Sequence, residues 1–465
     1  MTTPLNTSST TVSPLVSGLN NLLHQLKLCR FRSHTLVRVD TPILPVDLLL
    51  LLASVNSPDR SYFSHRDQSF SVAGLGIAVE LEAAKPSAMA DLLAEAERQV
   101  SGSEAVWIGG CAFNGRSGTH QWQGFPGARF VLPLVEVRQE RGKYSLAINL
   151  YVESFGQWQK QLLAIHTLLR SLCQQQPTVS GGVVVEKRHN SVNPRLWREQ
   201  VQEALTRIDA GELKKVVLAR EVELELAGSA NPFLALKALQ QSNPCCYSFA
   251  IEKQDKLFFG CSPERLFHRR GRVLHTEALA GTVKRGLNPE EDLVLEQTLL
   301  HDPKLVLEHE LVAKAIEESL QPLALHLFER EPVEVVKLGK IQHRYQALRA
   351  AIDAAITNNE LYQSLHPTPA ICGYPCAQAQ ALINEIEQAG RGWYSGNVGL
   401  IGDGYCEFSV AIRSALSDQN RLWLYSGVGI VEGSDADEEW LELESKLESM
   451  LQALGNNALA LNCNA

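Results

Sequence analysis

Stretches whose apolar positions recur at helical spacing are interleaved along this chain with stretches whose apolar positions alternate, which marks a protein built from both helices and strands. Asn193-Pro194 reads as a capped helix start, and Trp197, Val201, Ala204, Leu205 and Ile208 fall on one helical face until Gly211. The pattern then switches to period two in KVVLAREVELEL, where Val216, Leu218, Val222, Leu224 and Leu226 share one face of a strand. Lys215, Val217, Ala219 and three glutamates share the other, so Lys215 is expected to point away from the more apolar side. A second helix opens at Asp302-Pro303. A third opens at Ser434, which reads as a capping box with Asp437 and is followed by early acids that suit a positive helix end.

Near the C-terminus, GNVGLIGDGYCEFSVAIRSALSDQNRLWLYSGVGIV reads as three strands joined at Gly402-Asp403-Gly404 and at Ser417 to Asn420, links short enough to require an antiparallel meander. Upstream, a helix is expected over Ser87 to Val100, with strands over Glu104 to Gly109, Ala128 to Val137 and Lys143 to Val152. The polar stretch from Gln174 to Ser191 reads as a connection. Hairpins mixed with helices, without regular crossover units, give an α+β layered fold in preference to a doubly wound parallel sheet.

Composition narrows the function classes. With 465 residues, 45% of them hydrophobic, the chain can fill one large core or two ordinary ones. With a net charge of −9 and no run of Lys and Arg long enough to make a phosphate-tracking stripe, nucleic acid is not an expected partner, and an anionic substrate must be met by a few local cations. Ten cysteines without regular short spacing fit a reducing cytosol, and a cytoplasmic location is expected. Cys372 and Cys376, flanking Gly-Tyr-Pro with no second Cys or His pair nearby, read as buried thiols with no assigned chemistry. The longest apolar run, Leu48 to Ala53, is far below the ~20 residues of a membrane helix. Residues 1–15 read as a frayed polar tail.

Several charged residues stand where bulk solvation does not explain them. Glu308 lies between Leu311 and Val312 on its helical wheel, so it needs a cation, a proton or dense hydrogen bonding; an ion pair with a lysine or arginine from elsewhere is the plain explanation. On the last helix Glu439, Glu442 and Lys446 form a stripe beside the buried one. A solvated Glu442–Lys446 pair accounts for two of them, unless Glu308 and Glu442 meet to hold a hard cation such as magnesium. Arg413 is expected on a strand face with Glu407, Ser409 and Ala411, from which its guanidinium can fork a carboxylate. Gly427 and Gly429 either open a backbone to a ligand or allow tight packing.

As a set, KVVLAR, CSPERL, TEALAGT, EHELV, HPTPAICGYP, GWYSG, FSVAIRSA, YSGVGIV and EEWLELESK resemble the chorismate-utilising enzymes, a family that includes isochorismate, salicylate, anthranilate and aminodeoxychorismate synthases. The resemblance implies one α+β unit of α/β/β/α layers with two packed, largely antiparallel sheets. Residues 193–454 would form the chorismate-binding catalytic region, and residues 16–190 would complete the same fold. It implies Lys215 as the base that activates water and Glu264 as the acid that protonates the departing ring hydroxyl. Glu308 and Glu442 would bind Mg2+, with Glu439 close by and acting through water. Tyr394, Arg413, Gly427 and Lys446 would bind substrate carboxylates, while Gly281, Thr282 and His366 line the site.

The base needs its pKa lowered by burial or neighbouring cations, since free lysine titrates near ~10.4. Family members that add ammonia generally lack a lysine at the Lys215 position, and aminodeoxychorismate synthases often carry one at the Ala280 position. The combination here therefore implies water as the nucleophile and no obligatory glutaminase partner. Isochorismate is the expected product, for menaquinone or a related quinone. Salicylate synthesis, an amine-adding synthase component and a non-catalytic relative remain the alternatives. The one departure from the family pattern is Ala436, where relatives often carry proline.

Overall fold

The computed structural model describes residues 15–115, 120–173, 184–228, 230–327 and 330–455. Most of the expected tail and residues 174–183 of the expected connection lie outside the described residues. Leu15, assigned to that tail, is instead fully buried.

Every strand pairing is antiparallel, and the strands fall into two series that share one long member, Ala128–Glu140. One series runs from Val37–Ile43 through Lys143–Leu150, the shared strand, Phe70–Ala83, Arg60–Ser64, Tyr247–Lys253, Lys256–Ser262, Ser414–Asp418 and Arg421–Val431 to Lys215–Leu226. The other runs from the shared strand through Trp107–Cys111, Asn397–Gly402, Tyr405–Val410, Arg265–Arg270 and Val273–Lys284 to Ile341–Ile352. Residues from both halves of the chain hydrogen-bond to each other in both series. An aromatic core containing Phe63, Trp122, Tyr247, Phe249, Phe258, Trp393 and Trp423 fills the space between them. Each such ring brings a large apolar area out of water, which makes this layer a principal source of cohesion.

The expected helices are present, with one shifted cap. Asn193 accepts from the Leu196 amide ahead of Pro194–Asp209, and Asp302 accepts from the Leu305 amide ahead of Pro303–Leu320. For Ala436–Leu454 the cap is Asp435, which takes the amides of Asp437 and Glu438, while Ser434 turns back to the Val431 amide. Asp435 is the stronger acceptor at a positive helix end, which explains why it displaces the serine.

Two other expectations give way. The presumed connection ends in a strand, Val185–Asn190, paired to the outer edge of Lys215–Leu226. The three-strand meander is two hairpins in different sheets: Asn397–Gly402 with Tyr405–Val410, and Ser414–Asp418 with Arg421–Val431. The chain crosses between them at Ala411 to Arg413, and Arg413 adopts a φ of 52°. Apolar alternation continues through this break, so the pattern alone cannot reveal it. Arg413 is therefore not on a regular strand face with Glu407 and Ser409, and the crossover places it at the cavity.

Candidate active site

The strands Lys215–Leu226 and Arg421–Val431 run in an eleven-residue register that sets Val217 opposite Gly429 and Ala219 opposite Gly427. Small residues on one shared face leave a hollow there. Helices Pro303–Leu320 and Ala436–Leu454 bring Glu308, Glu442 and Lys446 to the same cavity, of about 700 Å³ including space open to solvent. Glu264, Ala280, Gly281, Thr282, Tyr394, Arg413 and Gly427 also line it.

Lys215 is 1% exposed and its Nζ donates to Glu308 Oε1 at 2.9 Å. A Cβ on Gly429 would stand 2.7 Å from Lys215 Cε and 2.8 Å from Glu308 Oε1, so this glycine is required by the packing of the pair. The expected burial of Lys215 is present, but the charged group it touches is a carboxylate. Glu308 is correspondingly held below the usual carboxylate range: Lys215, with help from Lys446 and Lys304, outweighs the effect of burial.

Glu264 has the opposite environment. It is buried, its carboxylate receives a 3.3 Å hydrogen bond from Thr368 Oγ1, and burial together with the charge of Glu277 pushes its carboxyl up to about 8. Glu277 is itself fixed behind it, accepting from the Arg265 amide at 2.8 Å and paired with Arg66 at 2.8 Å. Glu264 is thus a protonated acid at neutral pH, and it lines the cavity.

Around these two, the polar groups are arranged for anions. Lys446 bridges Glu442 at 2.7 Å and the Gly427 carbonyl at 2.9 Å. Arg413 lies 3.5 Å from His343 Nε2, whose Nδ1 is 3.0 Å from Thr282 Oγ1. Burial and the charges of Arg413 and Lys446 hold His343 well below its usual value, so it is a neutral imidazole. Because a guanidinium only donates, His343 Nε2 accepts and its Nδ1–H donates to Thr282. Gly281, at φ 77°, forms the bulge that shifts the register between Ala280 and Thr282 and turns this edge toward the cavity. Tyr394 stacks on Tyr425, and burial pushes its phenol up to about 12, leaving a neutral donor.

Three expected residues are not among those lining the cavity, and the first of them, Lys215, lies directly behind the lining residues Glu308 and Gly429. His366 is not among the cavity-lining residues; its ring stacks on Tyr362 and its Nε2 lies 3.4 Å from the Phe113 carbonyl, behind the segment that carries Thr368, Ala370 and Ile371. Glu439 is buried in an ion pair with Lys304 at 2.8 Å and does not line the cavity. Conversely, His343, Ser395, Tyr425 and Thr368 belong to the site or its support and were not singled out from the sequence. His343 had one usable signal, a lone histidine in an otherwise regular strand.

Among the described residues no group of three or more His, Cys, Asp or Glu side chains forms a ready-made metal cluster. Glu308 and Glu442 nevertheless offer hard carboxylate oxygens from two helices to one cavity, which suits magnesium because that ion keeps waters and takes further oxygens from a substrate.

The family model described as chorismate binding enzyme matches residues 22–455. The isochorismate synthase MenF of Haemophilus influenzae is 33% identical over 447 residues, covering 95% of this chain and 97% of that protein. The salicylate biosynthesis isochorismate synthase of Pseudomonas aeruginosa is 34% identical over 351 residues, covering 74% and 73%. The solved structure of Escherichia coli MenF, a menaquinone-specific isochorismate synthase, superposes with a TM-score of 0.84 at 28% identity, covering 95% of this chain and 99% of that one. The α+β architecture is that of the Escherichia coli enzyme, and the protein belongs to the chorismate-binding enzyme family.

Proposed function

We propose that the chain is an isochorismate synthase, converting chorismate to isochorismate by adding water at ring C2 and releasing the C4 hydroxyl. The observation that carries this reading is a buried amine, Lys215, set directly behind Glu308 and Gly429 in the wall of the cavity whose lining also holds Glu264, a carboxyl pushed up to about 8. Addition at one ring carbon with departure from another needs a base and an acid together. Lys215 takes the proton of the attacking water, and Glu264 gives its proton to the leaving hydroxyl oxygen. Arg413, Lys446 and Tyr394 orient the substrate's carboxylates, and Gly427 and Gly429 keep the floor low enough for the ring. Ala280 at the wall leaves room for water and offers no amine to compete with it.

Magnesium, held by Glu308 and Glu442, would supply positive charge for the ring carboxylate and compete with Lys215 for Glu308. A quinone pathway and a cytoplasmic location complete the proposal. For the quinone the support is the menaquinone specificity of the Escherichia coli enzyme; among the described residues no helix is long and apolar enough to cross a membrane.

The test is to incubate the purified chain with chorismate and magnesium, with and without EDTA, and to resolve the products by liquid chromatography with mass detection. Magnesium-dependent isochorismate without pyruvate is expected. Salicylate with pyruvate would transfer the assignment to a salicylate synthase, and product formation only with a glutaminase partner would transfer it to an amine-adding component.

A further inference from the structure

Cys372 and Cys376 stand outside the cavity with their sulfurs 3.7 Å apart. The segment between and before them is a strap tied to both proposed proton-transfer residues. Gly373 and Tyr374 pair with Val216 and Lys215, the Cys372 carbonyl accepts from the Val217 amide at 2.8 Å, and the Tyr374 carbonyl accepts from the Lys214 amide at 2.7 Å. Three residues before Ile371, which lines the cavity, Thr368 donates to Glu264. The strap has no slack, because a Cβ on Gly373 would fall 2.2 Å from the Lys215 carbonyl.

We infer that Cys372 and Cys376 form a reversible oxidation site, in which a hydroperoxide closes an intramolecular disulfide that slows turnover by shifting the strap beneath Lys215 and Glu264. The effect on turnover rests on the proposed function; the sulfur chemistry does not. Cys376 is the more accessible of the two and occupies the first position of the eleven-residue helix Cys376–Ile386, where the helix dipole favours a thiolate. The Cys376 thiolate attacks one peroxide oxygen, the O–O bond breaks, a sulfenic acid forms and hydroxide leaves. The Cys372 thiol then attacks that sulfur, the S–S bond forms as the S–O bond breaks, and the departing hydroxide takes up the thiol proton as water. With hydrogen peroxide as oxidant, two thiols give up two electrons and the peroxide becomes two waters. A disulfide is about 2.05 Å long, so the sulfurs must close by roughly 1.7 Å, and the strap must absorb what side-chain rotation does not.

The experiment treats the reduced full-length chain with hydrogen peroxide, maps disulfides by peptide mass spectrometry, and measures turnover of chorismate before treatment, after it, and after dithiothreitol. A Cys372–Cys376 link is expected, with turnover falling about tenfold or more because ångström-scale misplacement of a catalytic group costs up to ~10²-fold. Dithiothreitol should restore activity, and Cys376→Ser and Cys372→Ala should each keep theirs under peroxide. Oxidation of the exposed Cys245 without a Cys372–Cys376 link would overturn the site, and a link that leaves turnover unchanged would overturn its coupling to catalysis. A reduced chain that leaves chorismate unchanged counts against the functional reading instead, while the disulfide map still decides the modification.

Discussion

Lys215 and Glu308 meet at 2.9 Å beneath the one strand position, Gly429, that a side chain would close. The contact couples the amine proposed as base to a carboxylate proposed as metal ligand, and only a glycine leaves space for it. Gly429→Ala is expected to force the pair apart, with an overpacking cost of about 1–3 kcal/mol. Turnover should fall at least ~10-fold while far-UV circular dichroism stays native. Unchanged kinetics would show that the pair is not needed in its present geometry.

Removing the amine itself is more severe. Lys215→Ala should reduce kcat by ~10²–10⁴-fold, the usual contribution of a positioned base, with little change in KM. Steady-state kinetics on a variant whose thermal unfolding remains cooperative checks this, and near-normal turnover would take Lys215 out of the mechanism.

Glu264 dictates a pH dependence whose sign follows from its raised carboxyl. The acid works only while protonated, so its contribution to kcat should be lost as pH rises through about 8. Glu277→Gln removes one of the charges that raises it and should move this alkaline limb to lower pH. Stability responds too: a carboxyl raised in the folded state contributes stability that is full below the unfolded value, ~4.3, and is lost as pH climbs to the folded one, at about 1.4 kcal/mol per unit. Glu264→Gln should therefore be inactive yet unfold at a higher temperature than the parent at pH ~8, with the difference shrinking toward pH ~5. An alkaline limb that ignores Glu277→Gln would contradict this account.

Magnesium binding can be read without turnover. Binding to the folded chain alone should raise its melting temperature in proportion to the logarithm of free magnesium. Glu442→Gln should flatten that dependence, and a magnesium response identical to the parent's would remove Glu442 from the ligand set.

Much of the site was legible because its chemistry sits in short, strongly patterned segments. The alternation of KVVLAREVELEL and the caps at Asn193 and Asp302 placed Lys215 and Glu308 on the right elements, and Glu308 did need the partner its wheel position demanded. What remained hidden depends on contacts distant in sequence. His343 becomes meaningful only when Arg413 crosses between sheets, Glu277 only when it lies behind Glu264, and the two cysteines only when their loop folds onto Lys215. Glu439 and His366 followed motif position into the right neighbourhood, but Lys304 and Tyr362 hold them out of the cavity.

The central claim is that Lys215 directs water onto the ring while Glu264 lets the hydroxyl go. The most direct measurement is turnover in water labelled with heavy oxygen, with early product analysed by mass spectrometry. Isochorismate carrying one solvent oxygen, made by the parent chain and lost in Lys215→Ala, is the predicted result. Unlabelled isochorismate would mean that the hydroxyl migrates within the substrate, and would contradict the account.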